Sequence, residues 1–219
     1  MHLETERLLI RPWRHEEADR LLDILSRLEV VKWLGDGEPQ LMKDLDEAHA
    51  RIDRYAERDA PPLGMWAVER RADGVVLGTV LLLTLPDADH GEVEIGWHLH
   101  PDAWGRGYAS EAASAVLAHG FAAGLPEIIA VSHTDNDASQ AVMRRIGMTD
   151  HGIVEKWYEG ESAYFAITEQ QWSRRTAQSH AALQDGPFDQ QLDQSARVSP
   201  VVQDDDPVVV DTEQLGGGQ

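Results

Sequence analysis

Apolar and polar positions alternate with two different periods along this chain, and the switches between them mark out the elements. Residues 7–13 (RLLIRPW) read as a short strand closed by Pro12, which cannot donate to a ladder. Over residues 16–34, Leu21, Leu22, Leu25, Leu28 and Val31 recur at helical spacing. Glu16, Glu17 and Asp19 sit near the positive end of the helix dipole, so the spacing predicts one long helix. Residues 35–39 (GDGEP) break it, and Leu41, Leu45, Ala48, Ile52 and Tyr55 predict a second amphipathic helix ending before Pro61 and Pro62. Residues 65–71 and 75–83 read as strands joined through Ala72, Asp73 and Gly74, an Asp-Gly hairpin signal. A turn over residues 86–91 leads into a strand over 92–100. A glycine-rich turn and an apolar-faced helix follow, stopped at Gly124. Residues 127–133 have the continuous apolar character of a buried strand. Residues 136–146 predict a helix ended by Gly147, and residues 149–157 and 161–168 two last strands joined at Glu159 and Gly160. The order is β-α-α-β-β-β-α-β-α-β-β, an α+β arrangement.

The stretch over residues 92–124 is the most informative. A strand that runs through a glycine-rich loop onto a helix N-terminus presents unpaired backbone N–H groups and a positive dipole end, a device for holding an anion. The Walker pattern GxxxxGK[ST] is absent, and the dinucleotide pattern GxGxxG begins at Gly105 and Gly107 but meets Ser110 at its third glycine. The run Trp104, Gly105, Arg106, Gly107, Tyr108, Ala109 instead resembles the acetyl-CoA pyrophosphate loop Q/R-x-x-G-x-G/A of the GNAT N-acetyltransferases, with Gly107 and Ala109 at the two small positions. Trp104 departs from the usual Gln or Arg, which is similar to the RimJ/RimL-type branch of ribosomal-protein N-terminal acetyltransferases. The opening ETERLLIRPW and the run from Asn136-x-x-Ser139 to Arg145-Ile146-Gly147-Met148 carry the same resemblance, which spans about residues 4–170. It implies the GNAT fold: a twisted, mixed, mostly antiparallel sheet of about seven strands flanked by about four helices. It also implies acetyl-CoA as cosubstrate and a primary amine as acceptor.

Past Trp172 the composition shifts to Gln, Asp, Ser and Pro, with Asp204–Asp206 a like-charge run and three glycines near the end. Such a segment buries too little apolar surface to offset its ordering entropy, so the expected organisation is a GNAT domain over 1–172 and an acidic, flexible tail over 173–219. The net charge of −20 is not confined to that tail, which holds three arginines and eight carboxylates. Acidity of this extent argues against nucleic acid or an anionic membrane surface as partner and favours cationic ligands, although solubility alone accounts for it equally well. No cysteine is present, excluding disulfides and thiolate chemistry. The ten histidines show neither HxxxH nor HExxH spacing, so no metal site is expected. With no signal-like start and no apolar run long enough to span a bilayer, the expected location is the cytoplasm. A homodimer is compatible with the sequence but nothing in it requires one.

Acetyl transfer from a thioester to an amine requires an anchored donor, a polarised carbonyl, an acceptor stripped of its proton and a stabilised thiolate. Backbone N–H groups of residues 104–109 would anchor the phosphates, with Arg106 as charge partner. By resemblance, Leu99 with the adjacent His98 and His100 occupies the strand segment that exposes backbone to the acetyl-pantetheine arm. Strand alternation places Glu92, Glu94, His98 and His100 on one face, with Glu94 the first candidate base and His98 the second; a structural hydrogen-bonding role for Glu94 stands beside that reading. The resemblance gives Asn136 a hydrogen bond to the CoA arm, next to its role as helix N-cap. Many relatives place a tyrosine seven residues after that Asn to protonate the thiolate; here Met143 stands there, leaving Ser139 or solvent. The resemblance also brings substrate contacts from the early helices and last hairpin. Trp33, Asp36, Glu38, Glu155, Trp157 and Tyr158 are the candidates there, for a cationic amine such as a protein N-terminus, a polyamine or an aminoglycoside. A catalytically weak CoA-binding module of the same fold is the alternative.

Overall fold

Eight strands form one sheet in the order β1-β2-β3-β4-β5-β6-β8-β7. They are β1 (Leu3–Glu4), β2 (Leu8–Arg11), β3 (Gly64–Arg70), β4 (Val76–Thr84), β5 (Val93–Leu99), β6 (Glu127–His133), β7 (Thr149–Val154) and β8 (Ser162–Thr168). The structure is a computed structural model that describes residues 1–35, 37–86 and 88–184. Every neighbouring pair is antiparallel except β5 and β6, which are parallel and share the centre of the sheet. The predicted class therefore stands, with eight strands rather than seven: the two-residue β1 is too short to leave a periodic signal, and it exists because Thr5 and Leu8 turn it back onto β2.

The described residues include six α-helices: α1 (Ala18–Leu25), α2 (Leu28–Val31), α3 (Leu45–Glu57), α4 (Tyr108–Ala122), α5 (Asp137–Ile146) and α6 (Glu169–Gln184). On one face Tyr108, Ala112, Val116 and Leu117 of α4 and Met143 and Ile146 of α5 pack on Ile10, Val68, Leu82, Ile95 and Phe165. On the other face α1, α2 and α3 bury Leu21, Ile24, Val31, Ala48, Ile52 and Tyr55 against Met65, Ala67 and Val76. A third, smaller group joins Leu85, Ile129, Trp157 and Ala166.

The single helix predicted over 16–34 is instead a 3-10 turn (His15–Glu17) followed by α1 and α2. Arg27 adopts an extended conformation (φ −97°, ψ 120°) and its guanidinium turns back to Asp23. The Leu25 carbonyl, which a continuing helix would have used, accepts from Met42 N at 2.9 Å. A segment remote in sequence thus ends the helix, which local periodicity cannot report. The second helix begins at Leu45 rather than Leu41, because Asp44 caps it by accepting from Glu47 N at 3.0 Å.

The predicted boundary after Trp172 falls inside α6. Thr168 and Gln171 form a reciprocal cap, Gln171 Oε1 accepting from Thr168 N and Thr168 Oγ1 from Gln171 N, so the helix starts immediately after β8. Trp172 then lies 6.0 Å from Phe121, and Arg175 donates to the Arg145 carbonyl at 2.7 Å. Met1–Ala177 forms one compact unit and the chain from Gln178 onward a second. Most of the acidic tail expected over 173–219 lies outside the described residues. No helix among the described residues is long and apolar enough to cross a membrane.

Candidate active site

The parallel pair at the sheet centre generates the cleft. β5 is registered to β6 only at Glu94 opposite Ile129. Beyond that point Ile95 to Leu99 on one side and Val131 to His133 on the other line a cleft of about 1100 Å³. Where two strands part, backbone polar groups that a ladder would have consumed remain for a ligand. The cleft continues to the loop ahead of α4 and to the start of α5, and on its other side reaches α2 and α3.

At the loop, Gly105 (φ 71°) and Gly107 (φ 78°) both adopt the left-handed conformation, and Gly107 is the residue that precedes α4. No side chain caps α4, so its first N–H groups are left to a ligand. The loop is braced from outside. Arg7 donates to the Arg106 carbonyl at 3.0 Å, pairs with Glu111 and stacks 4.7 Å over the Tyr108 ring, while Thr5 donates to the same Glu111. Trp104 fixes the other end by donating from Nε1 to the Leu99 carbonyl at 2.8 Å, which occupies one of that carbonyl's two lone pairs. Trp104, Gly105, Gly107, Tyr108 and Ala109 line the cleft, whereas Arg106 is exposed outside it. The cation that does face the loop is Arg145, donating to Ser110 Oγ at 3.1 Å. Its sequence signal was the Arg145-Ile146-Gly147-Met148 run, which carried the resemblance but not a role.

Asn136 caps α5 by accepting from Ser139 N at 3.1 Å, which leaves its amide NH2 free to donate; both residues line the cleft. Met143 also lines it but belongs to the core at 1 % exposure.

The predicted row of four ionisable groups on β5 is divided. Glu92 turns to Lys156 at 2.9 Å, and His100 is buried between Asp23 and Asp102, so neither reaches the cleft. Glu94 and His98 do. Tyr158 donates to Glu94 Oε2 at 2.6 Å. Desolvation pushes the Glu94 carboxyl up to about 7, against the opposing effect of Tyr158 and the Val131 backbone. Burial, with a smaller contribution from the Arg51 charge, pulls His98 down to about 4 and keeps it neutral.

Of the predicted acceptor contacts, Trp33 and Tyr158 line the cleft; Trp33 is held edge-on to His133 at 5.9 Å. Glu38 and Glu155 are exposed and lie outside the cleft, Glu38 in the bend after α2 and Glu155 directly at the end of β7. Glu159 and Glu161 line it in their place. Trp157 is buried in the Leu85 group, with φ at 70°, a conformation uncommon for a bulky residue; it immediately precedes Tyr158 and fixes where the phenol goes. Asp36 lies outside the described residues.

A glycine loop leading to an uncapped helix start, at the end of a parted strand pair with a buried carboxylate beside the gap, is an arrangement suited to an acyl-CoA-dependent transferase. Residues 7–149 match the family model described as "Acetyltransferase (GNAT) domain", and the chain belongs to that family. It is an N-acetyltransferase, and members of the family use acetyl-CoA. The chain is 32% identical over 165 residues to "Uncharacterized N-acetyltransferase YoaA" of Bacillus subtilis (strain 168), covering 74% of this chain and 91% of that one. It is 30% identical over 187 residues to "FsC-acetyl coenzyme A-N(2)-transacetylase" of Aspergillus fumigatus, covering 78% of each. Its fold superposes on an acetyltransferase (GNAT family) from Bacillus anthracis with a TM-score of 0.66 at 26% identity, covering 78% of this chain and 99% of that one.

Proposed function

We propose that this enzyme moves an acetyl group from acetyl-CoA to a primary amine by direct transfer in a ternary complex, with Glu94 as general base. The observation that carries the reading is a carboxyl group with a pKa of about 7 at the parting of β5 and β6, in the same cleft as the glycine loop. A base tuned to the operating pH combines a useful ionised fraction with driving force for proton transfer. His98, neutral and pulled down to about 4, is the weaker base of the two.

The residues present fit acetyl-CoA. Open space surrounds the Cβ position of Gly105, the first N–H groups of α4 have no side-chain cap, and Arg145 supplies positive charge beside them. Residues 104–109 and Arg145 would hold the phosphates and Asn136 the arm. The cosubstrate supplies the activated acetyl thioester. The acceptor ammonium gives its proton to Glu94, directly or through water; the amine nitrogen then forms the C–N bond as the C–S bond breaks. Ser139, half-buried on the α5 side of the cleft, is the candidate proton donor to the departing thiolate.

The acceptor class favoured is a protein N-terminal α-amine, supported by Trp104 in the loop, the position at which the chain resembles the RimJ/RimL-type branch. Thiol release from acetyl-CoA, measured with N-terminal peptides, polyamines and aminoglycosides in separate arms, tests the reading. Transfer to peptides with an acid limb near pH 7 is expected; absence of transfer to every amine overturns it.

A further inference from the structure

The cleft has a second polar end that acetyl transfer itself does not use. Glu94, Gly96 and His98 follow one another on one face of β5, each step about 6.6 Å along the strand. Beyond His98 the lining passes to Arg51 and Tyr55 on α3, with Met65 and Leu81 of the sheet beneath. Thr79 stands directly opposite His98 in the β4–β5 ladder, and Arg51 and Thr79 adjoin the Tyr55 phenol.

The Tyr55 hydroxyl, Thr79 Oγ1 and His98 Nε2 are all shielded from solvent, and none makes a well-formed hydrogen bond. The parent residues are 3%, 0% and 9% exposed. A buried polar atom left without a partner is costly, and three in one place ask for an explanation. Arg51 beside them forms no ion pair with a carboxylate among the described residues. One guanidinium, two hydroxyls and a neutral imidazole, of which only Arg51 reaches the surface, form a donor-rich subsite.

We propose that Arg51, Tyr55 and His98, with Thr79 behind them, bind a carboxylate on the acceptor, so that the substrate is an amine carrying a carboxylate a few bonds from its nitrogen. This deepens the acetyltransferase reading and rests on it for the position of the amine. An amine over Gly96 lies one strand step from Glu94 on one side and one step from His98 on the other. A carboxylate two to four bonds from the nitrogen spans the second interval. An unsubstituted polyamine offers Arg51 no anion and leaves the buried groups only the weak contacts that Tyr55 makes with Arg51 and Thr79, which is the penalty a polar subsite uses to reject the wrong ligand. Two sources share this chemistry: a free amino acid, and a polypeptide whose first residue is acidic.

Binding to the protein saturated with CoA is measured by calorimetry for probe pairs that differ in one carboxylate. One arm sets α-amino acids against their decarboxylated amines. The other sets short peptides beginning with Asp or Glu against those beginning with Asn or Gln. In at least one arm the carboxylate member binds tenfold or more tightly, and the preferred arm names the source. Arg51→Met removes the difference, Arg51→Lys keeps part of it, and Tyr55→Phe reduces it several-fold, all with CoA affinity retained as evidence of an intact fold. Equal binding of both members in both arms overturns the proposal and leaves the buried atoms to ordered water, as does a preference that survives Arg51→Met. Acetyl transfer is followed on the same pairs: carboxylate-dependent binding without transfer defeats the transferase reading and keeps the subsite, and transfer without carboxylate dependence does the reverse.

Discussion

Replacing Glu94 by Gln removes the ionisable group while keeping an oxygen for the Tyr158 hydroxyl. With the carboxyl at about 7, roughly 9 % is ionised at pH 6 and ~91 % at pH 8. The wild-type kcat/KM should therefore rise about tenfold across that interval if Glu94 is the base. Glu94→Gln should lose that limb and fall by about 10²–10⁴ at pH 8. Stability moves in the opposite direction. Because the folded pKa lies above the unfolded value of 4.5, the folded protein holds its proton longer. Its contribution to stability is fully present below about pH 4.5 and is lost as pH rises toward 7. The full shift corresponds to about 3.4 kcal/mol, and with part of the side chain at the cleft surface ~2–3 kcal/mol is the working figure. Glu94→Gln should then be more stable than wild type at pH 8 by that amount, about 5–10 °C in Tm, and equal to it near pH 4. Initial rates by thiol release and thermal unfolding between pH 4 and 9 measure both. An unchanged acid limb, or a variant less stable at pH 8, refutes the assignment of a strained, working carboxylate.

Tyr158→Phe removes the hydrogen bond that holds the Glu94 pKa down, so the acid limb of kcat/KM should move to higher pH; a limb that stays in place would show that the bond does not form in the working enzyme. Gly107→Glu places a side chain at φ 78° and a negative charge where the phosphates are expected, and should abolish CoA binding by calorimetry while the protein still folds. Arg11 is 1 % exposed and clamps Glu17 and Glu69; Arg11→Met strands both carboxylates and should cost about 3–5 kcal/mol in denaturant unfolding at neutral pH, with a smaller loss at pH 3. A chain ending at Trp172 loses the Arg175 bond to the Arg145 carbonyl and should unfold several degrees below one ending at Ala177, with weaker CoA binding through Arg145.

The sequence makes the scaffold legible wherever period and punctuation are both local. β5, β6 and α5 fall within a residue of their predicted bounds because Pro101, Pro126, Asn136 and Gly147 stand at their ends. The elements that differ depend on distant partners: the end of α1 on Met42, and β1 on its return to β2. The start of α6 has a local signal in the capping-box spacing of Thr168 and Gln171, which a reading based on the compositional shift past Trp172 does not use. At the site, strand alternation put Glu94 and His98 on one face. It had no means of telling that Lys156 would take Glu92, or that Asp23 and Asp102 would enclose His100. Tyr55 reads in sequence only as an apolar position of an amphipathic helix and Arg51 carries no signal there; their place beside His98 is a product of packing.

The burial that makes Glu94 costly also sets its usefulness. An amine of pKa about 8–10 would give its proton to an ordinary glutamate uphill by roughly 3.5–5.5 pK units. Against a carboxyl at about 7 the gap falls to about 1–3 units, a saving of ~3.4 kcal/mol in deprotonating the acceptor. That is the same free energy the fold gives up at alkaline pH. Hydrogen bonds stronger than those of Tyr158 and the Val131 backbone would return stability and lower the base strength together, so neutral donors rather than an arginine partner suit a base at Glu94. The neighbouring surface obeys the same constraint: His98, kept neutral at about 4, puts no imidazolium four residues along the same strand face to pull the carboxyl back down. Arg51, whose charge acts on His98 and which adjoins Tyr55, is not among the groups that shift Glu94, so it is placed to meet a charge on the acceptor without neutralising the base.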